Sequence, residues 1–179
     1  GQNVGKNIIT ILSYRRNQNL RNWLVHSSAT QSTPDRPSPC STSCLSNRGC
    51  KLSSSMSHTN SIINIHSGKS CQTSGGKCNT TNTIYAAECT QHKLIYVGNT
   101  SQKLNMRFNG HRSDVSVKPK SCELAQHFSK NKDCDINKHL SVHILQDGLT
   151  GSRERREFFE DRWITRLDTK APYRINTYI

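Results

Sequence analysis

The chain is short of almost everything a large core requires. Of its 179 residues, 32% are hydrophobic and 6% aromatic, too few for one well-packed core along the whole length. Acidic residues are also scarce, 12 against 25 Lys and Arg, which leaves a formal net charge of +13. A surface so poor in carboxylates suits a polyanion, and nucleic acid fits better than a solubilising coat, which balanced charge would serve equally. No apolar run is long enough to cross a membrane, and "NIITIL" is too short for the core of a signal peptide. Aromatic residues are absent from Leu24 through Thr83. That stretch, rich in Ser, Thr, Asn and Gly and broken by "QSTPDRPSP", cannot bury enough apolar area to offset its backbone entropy.

What is present divides the chain. Through residue 60 there are seven Lys or Arg and one acid, Asp35. We read residues 1–26 as an upstream connecting segment and 27–81 as a basic Ser/Thr/Cys-rich linker, largely irregular unless a metal pins it. The chain begins at Gly1 and not Met, which reads as a piece of a longer protein. Eight cysteines could pair in a secreted protein. Several lie near histidines in a basic chain, which favours reduced thiols, metal binding and an intracellular or nuclear setting.

Residues 82–179 carry periodic patterns. "TIYAAE" and "KLIYVG" read as two strands joined by the polar turn "CTQH". "SQKLNMRFNGHRSDV" reads as a helix with Ser101 as N-cap and Leu104, Phe108 and Val115 on one face. "CELAQHF" is a second short helix. "HLSVHILQD" alternates as a third strand, with Leu140, Val142 and Ile144 on one side. "SRERREFFEDRWITRL" is the strongest helix: Phe159, Trp163 and Leu167 recur every four residues beside Ile164. The fold expected is α/β, a small three-stranded antiparallel sheet flanked by helices and preceded by an irregular basic arm.

This layout gathers particular polar residues. Tyr85 and Tyr96 fall on neighbouring strands, near one end of the sheet. Gly98 closes the second strand, where it permits close backbone approach or simply ends it. Arg107 and His111 are four apart and share a helix face. Glu160 stands three residues before Trp163, with Glu154, Glu157 and Asp161 as rivals on a charged helix. Cys89-x-x-His92 in a turn can present two side chains to one zinc ion, with His111 and His127 completing four ligands. Cys40, Cys44 and Cys50, with His58 or His66 and Cys71 or Cys78, form a second, irregularly spaced set. Taken singly, a strand tyrosine is usually packing and a helix arginine a solvated charge; the ordered series is what carries information.

That series resembles the GIY-YIG nuclease superfamily. The first motif reads Thr83-Ile84-Tyr85 and the second Tyr96-Val97-Gly98, followed by Arg107, His111, "EDRWITRLDT" and Asn176. Upstream, "YRRNQNLRNWLV" and the Cys-rich stretch are similar to the C-terminal part of Penelope-like retroelement polyproteins. Against the family pattern, Thr83 replaces a glycine, His92 and Ser53 stand where cysteines are usual, and Arg174-Ile175-Asn176 replaces Gly-Leu-Asn. The resemblance implies a metal-dependent DNA endonuclease. In it Tyr85 acts as base, its phenol lowered by a nearby cation. Tyr96 bonds the phosphate or water, Arg107 stabilises charge, Glu160 holds Mg²⁺ or Mn²⁺, and Asn176 completes the site. His111 either orients a tyrosine or binds zinc, and Gly98 and Arg112 approach substrate. It implies DNA as partner, RNA as a second polyanion, the reverse transcriptase domain of a parent polyprotein, and no membrane. The competing reading is a catalytically inactive, zinc-containing nucleic-acid-binding remnant. Convergence of Tyr85, Arg107 and Glu160 on one cleft separates the two.

Overall fold

A computed structural model describes residues 50–170. Its centre is the strand pair read from the sequence. β3 (Thr83–Cys89) and β4 (Leu94–Thr100) run antiparallel, with Tyr85 opposite Gly98 and Ala87 opposite Tyr96. β5 (Leu140–Gln146) pairs antiparallel with the other side of β3, giving the order β4-β3-β5. β3 is the middle strand, covered on both faces, and this is why it reads as a nearly unbroken apolar run.

The period-two alternation sorts side chains into two layers. Tyr85, Ala87, Cys89 and Tyr96 face α1 (Leu104–Val117) and α2 (Glu123–Lys130), packing on Leu104, Phe108, Leu124 and Phe128. Ile84, Ala86, Ile95 and Val97 face α3 (Arg153–Leu167), packing with Phe159, Trp163, Ile164 and Leu167. Leu140, Val142 and Ile144 join the first layer, as their alternation predicted. None of the described helices is long and apolar enough to cross a membrane.

Two details differ from the sequence reading. Ser101 is not the N-cap of α1, which begins three residues later with Lys103 in that position. The opening amides of the helix are satisfied instead by backbone of the preceding segment, Leu104 N–H by Thr80 O and Asn105 N–H by Cys78 O. A side-chain cap is therefore unnecessary. Secondly, the interval read as irregular linker contains a short 3₁₀ turn (Ser53–Ser55) and a hairpin, β1 (Ser61–Asn64) with β2 (Lys69–Gln72). The hairpin buries Ile62 and Cys71 in the α3 layer. Ser57 N–H and Ser74 N–H both bond carbonyls of β5, Val142 O and Ile144 O, which covers the open edge of the sheet.

The buried Asn64 ties the hairpin to the end of α3. Its Nδ2 donates to Leu167 O at 2.8 Å and Asp168 O at 3.1 Å, carbonyls that a helix C-terminus leaves unpaired. Asn64→Ala is expected to lower unfolding stability by about 1–2 kcal/mol, read by urea titration. Unchanged stability would show that the hairpin merely lies against α3.

Candidate active site and a Cys/His cluster

The site begins at the hydroxyl of Tyr85. The residue is 0% exposed, so its phenol needs partners inside the protein. His111 Nε2 lies 2.8 Å away, and Arg107 Nε donates to the same oxygen at 3.3 Å. An arginine can only donate, so the tyrosine oxygen accepts from Arg107 and sends its own proton to His111. His111 then carries its proton on Nδ1, which lies 3.6 Å from Cys122 Sγ. The chain of donors runs Arg107, Tyr85, His111, Cys122. The four-residue spacing of Arg107 and His111 puts both on the face of α1 that meets the sheet, as their periodicity predicted.

Gly98 makes room for this arrangement. A Cβ there would lie 2.7 Å from the Tyr85 hydroxyl oxygen and 2.8 Å from a ring carbon of Tyr96, closer than real Cβ contacts allow. The glycine thus serves the tyrosines. Tyr96 lies on the same face of the sheet, its ring centroid 6.4 Å from that of Tyr85.

Burial sets the electrostatics. It pushes the Tyr85 phenol up to about 12, with Arg107 offsetting part of the rise. Arg107 by itself does not give the lowered phenol expected from a guanidinium and a metal together: one guanidinium does not outweigh full desolvation. Tyr96 is raised well above the usual phenol range for the same reason. His111 is pushed down to about 3, by burial first and then by Arg107, so the imidazole is neutral and its Nε2 accepts the hydrogen bond of the Tyr85 hydroxyl. Glu160 is raised by burial, while a hydrogen bond from Asn99 Nδ2 to its Oε2 acts in the opposite sense. The Glu160 charge also holds both tyrosines up, so these groups share one electrostatic environment although α3 covers the opposite face of the sheet. They can do so because β4, which carries Asn99, is an edge strand.

Beside Arg107 opens a cleft of about 360 Å³. Asn99, Gln102, Arg107, Arg153, Arg156 and Glu157 line it. Neither Asn99 nor the two arginines of α3 stood out in the sequence. Asn99 directly follows Gly98, a position that only the packing of α3 on β4 makes significant. Arg112 is placed differently from its expected substrate role. Its Nη2 donates to Lys51 O at 2.9 Å and its Nε to Asn137 Oδ1 at 3.2 Å, so it clamps the 3₁₀ turn to a loop. Asn176 lies outside the described residues.

A second group forms at the far end of the β3–β4 pair. Cys89, His92, His127 and Cys134 place one ligand atom each within 4.8 Å of all the others. Cys89 Sγ and Cys134 Sγ are 3.4 Å apart, Cys134 Sγ and His92 Nδ1 3.2 Å, and His92 Nδ1 and His127 Nε2 3.5 Å. A tetrahedral zinc ion with two sulfur and two nitrogen ligands requires edges of about 3.3–3.8 Å. The set corrects the sequence reading in one member: His111 is committed to Tyr85, and Cys134 takes the fourth corner. The signal was present as His127-x₆-Cys134, which mirrors Cys89-x-x-His92 but runs from a helix into a loop. The outer shell fits as well, with Asp133 Oδ2 3.1 Å from His92 Nε2 and the Asn131 amide 3.2 Å from His127 Nδ1. No upstream metal set assembles among the described residues. Cys71 and Cys78 are buried in opposite layers, and Cys50 packs at the edge of the first. Cys40 and Cys44 lie outside the described residues.

Residues 81–173 match the family model of the GIY-YIG catalytic domain. Among solved structures, the catalytic domain of the intron endonuclease I-TevI, in a mutant form, is similar with a TM-score of 0.40 and 21% identity. That similarity covers 48% of this chain and 82% of that one. No curated protein matches the sequence.

The neutral imidazole makes a pH prediction. The folded value of His111 is about 3 and an unfolded histidine titrates near 6.5. Between these the unfolded state binds the additional proton. His111 thus contributes stability that is fully present above the unfolded value and lost as pH falls, by about 1.4 kcal/mol per unit. Its ring resonances are expected to stay fixed between pH 7.5 and 5. A titration midpoint near 6.5 would mean that the imidazole is open to water.

Proposed function

Because the chain belongs to the GIY-YIG catalytic domain family, we propose that it is a divalent-metal-dependent DNA endonuclease that nicks one strand by phosphodiester hydrolysis. The observation that carries the reading is the Arg107–Tyr85–His111 chain of hydrogen bonds beside a cleft rich in arginine. The guanidinium of Arg107 reaches Tyr85 through Nε, which leaves its terminal nitrogens for a phosphate in the cleft. Tyr85 works here as a neutral relay. Its oxygen receives the proton of the attacking water while its own proton passes to His111 Nε2. The negative charge of a bound phosphate raises the proton affinity of that imidazole again. Tyr96 hydrogen-bonds the phosphate or the water. Arg153 and Arg156 hold flanking phosphates, and Asn176 is the expected further hydrogen-bonding residue.

Glu160 suits a hard divalent cation, Mg²⁺ or Mn²⁺: it is an oxygen donor, fixed through one oxygen by Asn99 and raised by burial that a cation relieves. Such an ion supplies Lewis acidity and charge neutralisation at the leaving oxygen. The Penelope-like origin, the reverse transcriptase domain of a parent polyprotein and a nuclear setting belong to the same proposal. Their support is the upstream segment and the metal-ligand spacing of the β3–β4 turn.

Nicking of supercoiled plasmid tests the reading. Glu160→Gln is expected to lose activity at least a hundredfold while keeping DNA affinity, which the net charge supplies. Arg107→Lys should also lose about a hundredfold, because lysine lacks the planar fork of donors. Retained nicking in Glu160→Gln, with metal still required, transfers the carboxylate role to Glu157. Absence of nicking in every protein, with DNA still bound, favours the inactive remnant.

The Cys/His cluster is proposed as a structural zinc site. It joins the β3–β4 turn to α2 and to the loop before β5, a staple that a small core can use. Protein purified without chelator should carry about one equivalent of zinc. Cys134→Ser should lose it and melt earlier, whereas His111→Gln should keep it. Zinc that survives Cys134→Ser but not His111→Gln would restore the ligand set first read from the sequence.

A further inference from the structure

One flank of α3 borders the stripe that packs on the sheet and takes no part in lining the cleft, yet it is not an ordinary solvated helix face. Phe158 is 58% exposed. Its ring meets Phe159 edge-on at 5.6 Å, and the guanidinium of Arg162 lies 5.8 and 5.9 Å from the two ring centroids. Arg155 stands 6.0 Å from Phe159, and Arg166 sits 4.9 Å over Trp163. The indole is oriented by its Nε1 donating to Gln146 Oε1 at 3.1 Å. The three rings with Arg162 and Arg166 frame an open groove of about 610 Å³, in whose lining Asp161 is the one carboxylate; Arg155 stands outside that lining.

Each feature narrows the ligand. Guanidiniums drawn over aromatic rings are restrained by the ring while their N–H donors stay available to phosphate. Exposed ring surface offers a stacking platform, and only an unpaired strand has bases to lay on it. The basic residues 1–60, with seven cations and one acid, are repelled by this flank and do not suit it as a cover. A membrane suits it poorly too. The apolar stripe of α3 is already spent on the sheet, and Phe158 alone gives little to insert. Arg156 in the cleft and Arg166 on the flank are ten residues apart, about 15 Å along the helix, a path of a few nucleotides.

We propose that this flank binds an unpaired DNA strand, one base stacked on Phe158 and the neighbouring phosphates held by Arg155, Arg162 and Arg166. The strand leaving the cleft follows α3, so the enzyme prefers duplexes with a single-stranded segment beside the cut. The choice of DNA rests on the endonuclease reading; the stacking and phosphate chemistry does not.

Equilibrium binding by the full chain, without added magnesium so that nothing is cut, tests the proposal independently of nicking. The probes are a labelled twelve-nucleotide thymidine oligomer and an abasic strand with the same phosphates. Wild type should bind the thymidine oligomer about tenfold tighter than the abasic strand. Phe158→Ala, with its melting temperature unchanged, should erase that preference and leave abasic and duplex affinity alone, while Phe158→Trp should keep it. Arg162→Ala should weaken both strands and reduce the log–log salt slope by about 0.7. Equal binding of the two strands by wild type, or an unaltered preference in Phe158→Ala, overturns the platform. A uridine oligomer bound tenfold tighter than thymidine overturns the choice of DNA. Binding that depends on Phe158 to phosphatidylserine vesicles, with none to the oligomer, replaces the strand by a membrane surface.

Discussion

A phenol wholly inside a protein must find partners or cost the full penalty of desolvation, and the hydroxyl of Tyr85 is in that position. Much of the domain is arranged around meeting the requirement. His111 and Arg107 reach the oxygen from one face of α1. Gly98 withholds the Cβ that would strike it. The register of β3 against β4 sets Gly98 directly opposite Tyr85, so a slip of one residue would put a side chain where the hydroxyl lies and send the two tyrosines to opposite faces of the sheet.

The same burial shapes the chemistry. It holds the tyrosine neutral and the imidazole unprotonated, so the hydrogen-bonded pair carries no charge of its own. A neutral relay of this kind avoids burying an ion in the resting enzyme. The charges that phosphate needs stay at the rim, on Arg107, Arg153 and Arg156. α3 divides its labour by helical angle: one stripe packs on the sheet, Glu160 turns to Asn99 of β4, and Phe158 faces outward beside Arg162.

The Cys/His cluster lies at the opposite end of the β3–β4 pair from Tyr85. One end of the hairpin is thus closed by tetrahedrally disposed ligand atoms and the other by a hydrogen-bonded tyrosine. Between them Ala86 and Ala87 let helices approach closely on both faces.

Periodicity and spacing alone determined the three strands of the central sheet, the three helices and their order from Thr83 onward, because those follow from local geometry: two residues per strand repeat, 3.6 per helical turn. They also placed Arg107 and His111 on one helix face, where both meet the Tyr85 hydroxyl, and the ordered motifs identified the family. Tertiary structure decided what depends on distance between segments. It gave His111 to Tyr85 and the fourth corner of the metal cluster to Cys134, which is forty-five residues from Cys89. It turned Arg112 from substrate to scaffold, and made a hairpin around Ile62 and Ile63, a stretch too short and too surrounded by Ser and Asn to be read as a strand from the sequence. It also showed that Arg107 alone does not lower the phenol of Tyr85. A sequence shows that a cation is near a phenol; only the packed structure shows how much water has been removed from it, and here the lost water outweighs the gained charge.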